Sequence, residues 1–166
     1  MPNDIIRIAG IVNNSIVDGS GLRYVVFVQG CKHNCPGCHN PQTHDPNGGY
    51  DYSIGDIKKY LASDHLLSGV TLSGGEPFLQ AEKCAEIARY AKEIGLNVWV
   101  YSGFTYENIL KDADKIALLQ YCDVLVDGRF VLEEKDESLV FKGSRNQRII
   151  DVQKSLESGT IVLWNI

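Results

Sequence analysis

Cys31-Lys32-His33-Asn34-Cys35-Pro36-Gly37-Cys38 places three thiols within eight residues. Pro36 and Gly37 permit the bend that brings Cys35 and Cys38 together, so the three thiolates can converge on a single metal centre. The chemistry open to such a loop is of three kinds. A structural zinc site takes four ligands, and His33, His39 or His44 is available as the fourth. A Cys-x-x-Cys redox pair uses Cys35 and Cys38 and leaves Cys31 without a part. A four-iron cluster normally takes four thiolates; with three, one iron stays open to a substrate or cofactor. Spacing alone leaves iron–sulfur and zinc level. Cys84 falls on a helix face and Cys122 just before a strand, so both read as core residues.

A second feature lies at Thr71-Leu72-Ser73-Gly74-Gly75-Glu76-Pro77, a strand running into a helix. Its paired glycines allow a backbone to approach a ligand closely, and Glu76 adds a carboxylate. Alone this reads as an ordinary loop. Beside the cysteine loop it tips the balance toward a cluster that works with a bound cofactor.

Both features need elements to hold them. Tyr24 to Val28, Gly69 to Leu72, Asn97 to Tyr101 and Val124 to Val126 are short, continuous apolar runs, rich in β-branched and aromatic residues. Such runs suit strands buried on both faces, as in a parallel sheet. Ile5 to Val12 reads as an edge strand or hairpin arm. Ser53 is a suitable N-cap for a helix from Ile54 to Ala62. Pro77 suits the first turn of a helix reaching about Ile94 before Gly95 stops it. On that helix Ala81, Cys84, Ala85, Ala88 and Ala91 form a small apolar face. A third helix is expected over Glu107 to Tyr121, and a last strand over Thr160 to Trp164. Gln147 to Leu156 fits either a helix or an irregular segment. Alternating strands and helices imply right-handed crossovers. The units are too few for a closed barrel of eight. The expected fold is therefore α/β, an open partial (β/α) barrel with a mostly parallel sheet, its strand C-termini facing one cleft.

Composition narrows the classes. The chain has 166 residues, close to the roughly 150 of one domain, so residues 1–166 are expected to form one. Sixteen basic against 21 acidic side chains leave a formal charge of −5. That balance, without a basic and aromatic pattern, argues against nucleic-acid binding. Nothing approaches the roughly 18 consecutive apolar residues of a membrane span. The start, Met1-Pro2-Asn3-Asp4, lacks the features of an export signal. The expected compartment is the cytoplasm, where clustered cysteines favour metal or redox chemistry over disulfides.

Taken together, Cys-x-x-x-Cys-x-x-Cys after one strand and Gly-Gly-Glu-Pro after the next resemble the radical S-adenosylmethionine superfamily. The resemblance implies that Cys31, Cys35 and Cys38 ligate a [4Fe–4S] cluster whose fourth iron chelates S-adenosyl-L-methionine. It implies that Gly74, Gly75 and Glu76 contact the amino end of that cofactor. Asp18-Gly19-Ser20-Gly21-Leu22-Arg23 and Phe27-Val28-Gln29-Gly30-Cys31 further resemble the opening of the glycyl-radical-enzyme activases. Cys35-Pro36-Gly37-Cys38-His39-Asn40, Val124 to Phe130 and Gly143 to Arg148 are similar to the activases of anaerobic ribonucleotide reduction. The similarity spans about Ile11 to Ile150. Two positions depart from the pattern. Gly37 stands where many members carry an aromatic residue near the adenine, and His39 stands where these activases often carry tyrosine. The ring or carbonyl of His39 is then placed near the adenine. Ser102, at a strand end, is placed to bond the ribose, and Asp127, with Arg129 beside it, to hold the cofactor. Ser102 reads equally as a turn or cap serine, and Asp127 with Arg129 as a surface ion pair. His33, His44 and His65 read as solvated or turn residues, and Trp99 and Trp164 as core.

The resemblance implies reductive cleavage of S-adenosyl-L-methionine to a 5′-deoxyadenosyl radical, which removes a hydrogen from a partner's backbone glycine. The implied partner is the large glycyl-radical subunit of an anaerobic ribonucleoside-triphosphate reductase, with flavodoxin or ferredoxin as low-potential electron donor. The cofactors carry this chemistry, so no conventional acid or base is expected. The alternatives are a pyruvate formate-lyase-type activase, a deazapurine synthase, or, outside the superfamily, a zinc-binding interaction module or a thiol oxidoreductase.

Overall fold

The apolar runs become strands of one sheet in the computed structural model, which describes residues 4–165. In chain order these are β1 (Ile5–Ser15), β2 (Arg23–Val28), β3 (Tyr50–Ser53), β4 (Gly69–Gly74), β5 (Asn97–Tyr101), β6 (Val124–Asp127) and β7 (Arg148–Asp151). Their spatial order is β3-β1-β2-β4-β5-β6-β7. The central four, β2, β4, β5 and β6, are parallel. One row of side chains, Val26, Leu72, Val100 and Leu125, crosses all four in register, and each is fully buried. Each such side chain contributes about 1.5–3 kcal/mol by leaving water. β1 is antiparallel to both β2 and β3, and β7 is antiparallel to β6. The two edge strands, β3 and β7, do not meet, so the sheet stays open, as expected of a partial barrel.

The helices are α1 (Ile54–Ser63), α2 (Ala81–Glu93), α3 (Tyr106–Ile109), α4 (Ala113–Leu119) and α5 (Val152–Ser158). Ser53 caps α1 as expected, accepting from Asp56 N at 3.2 Å. α2 buries Cys84, Ile87, Ala88 and Ala91 in the larger core, with the Val26–Leu125 row. The opposite face of the sheet carries Trp99, Val124 and Val126, packed by Phe141, Ile149 and Trp164. Cys84 and Cys122 are both fully buried, as read, and burial pushes both thiols up.

Several elements differ from expectation. The helix expected from Pro77 begins instead as a 3₁₀ turn, Pro77–Gln80, and α2 starts only at Ala81. Gln80 breaks the run because its side chain is tied into the sheet. Its Nε2 donates to Arg7 O (2.8 Å) and Gln29 O (3.1 Å), and its Oε1 accepts from Arg7 N (3.0 Å). The single helix expected over Glu107 to Tyr121 is divided into α3 and α4. Asp112 divides it by capping α4, accepting from Asp114 N at 2.9 Å. The ambiguous Gln147 to Leu156 splits into β7 and α5. Thr160 to Trp164 makes only an isolated bridge, Ile150 to Leu163, rather than a strand. Of its two readings, β1 is the hairpin arm, antiparallel to β2, but it is longer than read and not an edge, because β3, which the sequence reading lacked, covers its outer side.

Candidate functional site

The cysteine loop leaves the C-terminal end of β2, and the Gly-Gly-Glu turn leaves the same end of its parallel neighbour β4. Two backbone bonds carry the pairing past the sheet: Gly75 N donates to Val28 O (3.0 Å) and Glu76 N to Gly30 O (2.8 Å). The approach is close enough that a Cβ on Gly75 would lie 2.4 Å from Gly30 O. Any other residue would push the two motifs apart. On the far side, Gly30 N donates to Thr43 O (2.6 Å) and Cys31 N to His44 O (3.1 Å). The ligand loop is thus held between two backbone segments before any metal is considered.

Cys31, Cys35 and Cys38 line one cavity of about 100 Å³ together with Gly74, Gly75 and Ser102. All three thiols are free and partly exposed. Burial raises the Cys31 thiol above its ordinary range, against backbone N–H groups of His33 and Asn34 that pull it down. Among the described residues no three His, Cys, Asp or Glu side chains gather closely enough to hold one metal ion. The donor set fits a cluster better than a single zinc. A cubane takes each thiolate at a separate iron, and no further thiol lies here to serve the fourth, Cys84 and Cys122 being in the core.

Glu76 is fully buried, and four donors converge on its carboxylate. They are Ser102 Oγ (3.0 and 2.9 Å), Gly103 N (2.8 Å), Phe78 N (3.1 Å) and the His33 ring, whose Nε2 lies 2.6 Å from Oε1. Glu76 therefore ties together the cysteine loop, the start of the Pro77 turn and the end of β5. Ser102, read as a ribose contact, lines the cavity but gives its hydroxyl to Glu76 and accepts from Phe104 N (3.0 Å).

Gly37 lies in the left-handed region, φ +75°, and a Cβ there would sit 2.8 Å from Leu132 Cδ1. Leu132 thus occupies the space that a larger residue at position 37 would need. His39 is exposed and stacks, tilted, on Phe130 with ring centroids 5.1 Å apart. Asp127 is buried, but its neighbours Val126 and Gly128 line the cavity. Its carboxylate accepts from Tyr106 N (2.8 Å) and from Arg148, at 3.0 Å from Nε and 2.5 Å from an Nη. Arg129, read beside it, is exposed, and Arg148 is the actual partner.

Two histidines read as solvated or turn residues belong to the site. The His33 side chain is only 6 % exposed, packed edge-on against Phe104 (4.6 Å) and bound to Glu76. His44 lines the cavity, and its buried Nε2 has no hydrogen-bond partner. The only hint for His33 was its place inside the cysteine motif. For His44 there was none, since its burial depends on the loop folding back along Gly30 and Cys31.

Comparison with known proteins supplies an independent view. Residues 17–150 match the family described as "4Fe-4S single cluster domain". The chain is 34 % identical over 144 residues to the anaerobic ribonucleoside-triphosphate reductase-activating protein of Escherichia coli (strain K12), covering 80 % of this chain and 90 % of that one. It is 36 % identical over 145 residues to the protein of the same name from Vibrio cholerae, covering 81 % and 90 %. It is 34 % identical over 167 residues to the pyruvate formate-lyase-activating enzyme of Clostridium pasteurianum, covering 95 % of this chain and 66 % of that one. The fold is similar to the crystal structure of QueE from Escherichia coli, with a TM-score of 0.51 and 15 % identity, over 61 % of this chain and 53 % of that one.

Proposed function

Because this chain belongs to the 4Fe–4S single-cluster family that includes the anaerobic ribonucleoside-triphosphate reductase-activating proteins, we propose that it installs a glycyl radical on an anaerobic ribonucleoside-triphosphate reductase. The observation that carries the proposal is the cavity in which Cys31, Cys35 and Cys38 face Gly74 and Gly75 across the ends of β2 and β4. When bound, the cluster supplies a low-potential electron and S-adenosyl-L-methionine the carbon radical that takes a hydrogen from the partner's glycine.

The protein's own residues bind, orient and shield. Cys31, Cys35 and Cys38 would hold three irons and leave the fourth for the cofactor. Gly74 and Gly75 offer backbone at close range because nothing projects from them. Glu76, already holding four donors, orients the Gly74–Gly75 turn. It meets a cofactor amino group only where one of those donors yields its place. Ser102 acts through Glu76, and Asp127 through Arg148 and α3. His39, stacked on Phe130, which lines the cavity, would cover an adenine bound there. A flavodoxin or ferredoxin would bring the electron.

The test is anaerobic reconstitution with iron and sulfide, followed by reduction, addition of S-adenosyl-L-methionine and an assay for 5′-deoxyadenosine. The expected result is a brown protein whose reduced EPR signal shifts with the cofactor and which cleaves it. Each of Cys31→Ala, Cys35→Ala and Cys38→Ala should lose cluster and cleavage together. Full iron and activity in any of them would sink the assignment. The match over 95 % of the chain to a pyruvate formate-lyase-activating enzyme favours a second reading, in which the partner is a formate-lyase. Incubation with each glycyl-radical enzyme, scored by the glycyl EPR doublet, separates the two.

A further inference from the structure

Among the described residues only two buried side-chain polar atoms lack a hydrogen-bond partner, His44 Nε2 and Asn97 Oδ1. Asn97 lies at the start of β5, the end of the strand away from the site. His44, in contrast, is among the residues that line the cysteine cavity. A buried imidazole nitrogen without a partner costs about 1–3 kcal/mol, and buried polar groups are rarely left so.

The placement is fixed by tethers. His44 O accepts from Cys31 N (3.1 Å), and Thr43 O accepts from Gly30 N (2.6 Å). Thr43 Oγ1 donates to Asn40 O (2.6 Å), while Gln29 Nε2 donates to Gln42 O (2.9 Å) and Asp45 O (2.8 Å). These bonds bracket His44 on both sides and fasten its backbone to the first of the three thiol residues. The backbone at His44 is thus held beside the cavity by bonds that need no ligand.

We infer that His44 Nε2–H donates to a sulfur of the cluster held by Cys31, Cys35 and Cys38, and so raises its reduction potential. The inference rests on the cluster reading proposed above. The sulfurs of such a cluster are anionic acceptors, and their hydrogen bonds are among the factors that set its potential. A donor stabilises the more negative, reduced form most, so it eases reduction.

The experiment is an EPR-monitored redox titration of the reconstituted protein without S-adenosyl-L-methionine, with iron counted per chain. His44→Phe and His44→Leu remove the donor; His44→Gln keeps an N–H. The two donor-free variants should bind iron as the parent does. They should be about tenfold harder to reduce, a potential lower by about 59 mV for one electron. His44→Gln should regain most of that shift. Donor-free variants with the parent's potential overturn the inference. So does a shift seen only after S-adenosyl-L-methionine is added, which would put the partner on the cofactor. Loss of iron from all three variants overturns it too, because His44 would then be needed for the loop itself. A parent protein that binds no iron overturns the cluster reading and this inference with it.

Discussion

Five cysteines in one chain divide by burial into two kinds. Cys84 and Cys122 are fully buried with raised thiol pKa values, whereas Cys31, Cys35 and Cys38 are partly exposed around the cavity. Reactivity needs thiolate and access together. In native, iron-free protein, iodoacetamide should therefore modify all three loop cysteines, Cys31 slowest because burial raises its thiol pKa too, and spare the other two. Reconstitution with iron and sulfide should then protect the three. Peptide mass spectrometry reads both states, and labelling of Cys84 in folded protein would contradict the core placement. Glu76 makes a second prediction at this scale. Every donor around its carboxylate points inward, so an amide would set N–H against N–H. Glu76→Gln should cost about 2 kcal/mol in urea denaturation of the iron-free protein; no measurable change would mean that the four donors do not depend on it. The cysteine spacing and the Gly-Gly-Glu turn were legible in the sequence because adjacent residues carry them. The His33–Glu76 pair was not, since the two stand 43 positions apart and meet only when β2 and β4 lie side by side.

Strands were easier to read than the ends of helices. β2, β4, β5 and β6 announce themselves as apolar runs because both faces of a parallel sheet are covered. β3 does not, because Tyr50-Asp51-Tyr52-Ser53 is a short edge strand with exposed polar positions. The breaks at Gln80 and Asp112 escaped for a different reason. Each depends on where one side chain finds its hydrogen bond, and helical periodicity is blind to that. The same holds for Arg23, quoted in the sequence only as part of a motif. It opens β2 fully buried and lies over the Trp99 ring, 5.6 Å from its centroid. Its guanidinium donates to Thr71 Oγ1 (2.7 Å), Ser20 O (2.8 Å), Val70 O (2.9 Å) and Asn97 O (3.3 Å). Burial lowers its pKa to about 10, outweighing the pull of Tyr101 and Asp123. Arg23 thus fastens the β1–β2 turn to β4 and β5 at the end of the sheet away from the cavity. Arg23→Met keeps the stem but strands those acceptors. It should lower stability by about 3 kcal/mol, measured by chemical denaturation, with the thiol labelling pattern retained if the folded structure persists.

An aromatic plug packs the face of the sheet opposite α2, and the C-terminal strand ends carry the cysteine cavity. Trp99 meets Trp164 at 5.0 Å and Phe141 at 5.2 Å, both edge-on, and Arg23 lies against the same indole. This packing covers the face of the sheet opposite α2. The cysteine cavity opens instead at the strand C-termini, beyond which His39 and Leu132 are exposed. The C-terminal segment that supplies Trp164 is joined to β7 through Trp164 N to Ile149 O (2.9 Å) and Asp151 N to Val162 O (2.9 Å). That segment lines no part of the cysteine cavity, and plug and cavity meet only at Tyr101 and Val126, so loss of Trp164 should leave the cysteine loop in place. The only two tryptophans in the chain both lie in the plug, so their fluorescence reports this region alone. Trp164→Ala should lower stability by about 2 kcal/mol, less than the 3–5 typical of a fully buried tryptophan because Trp164 is only half-buried. Its emission should shift as Trp99 loses its cover, while iron loading per folded chain stays that of the parent. If cluster binding instead falls in step with the fluorescence change, plug and site are coupled through Tyr101 of β5 and Val126 of β6. The sheet would then transmit a disturbance on its packed face to the cysteine loop.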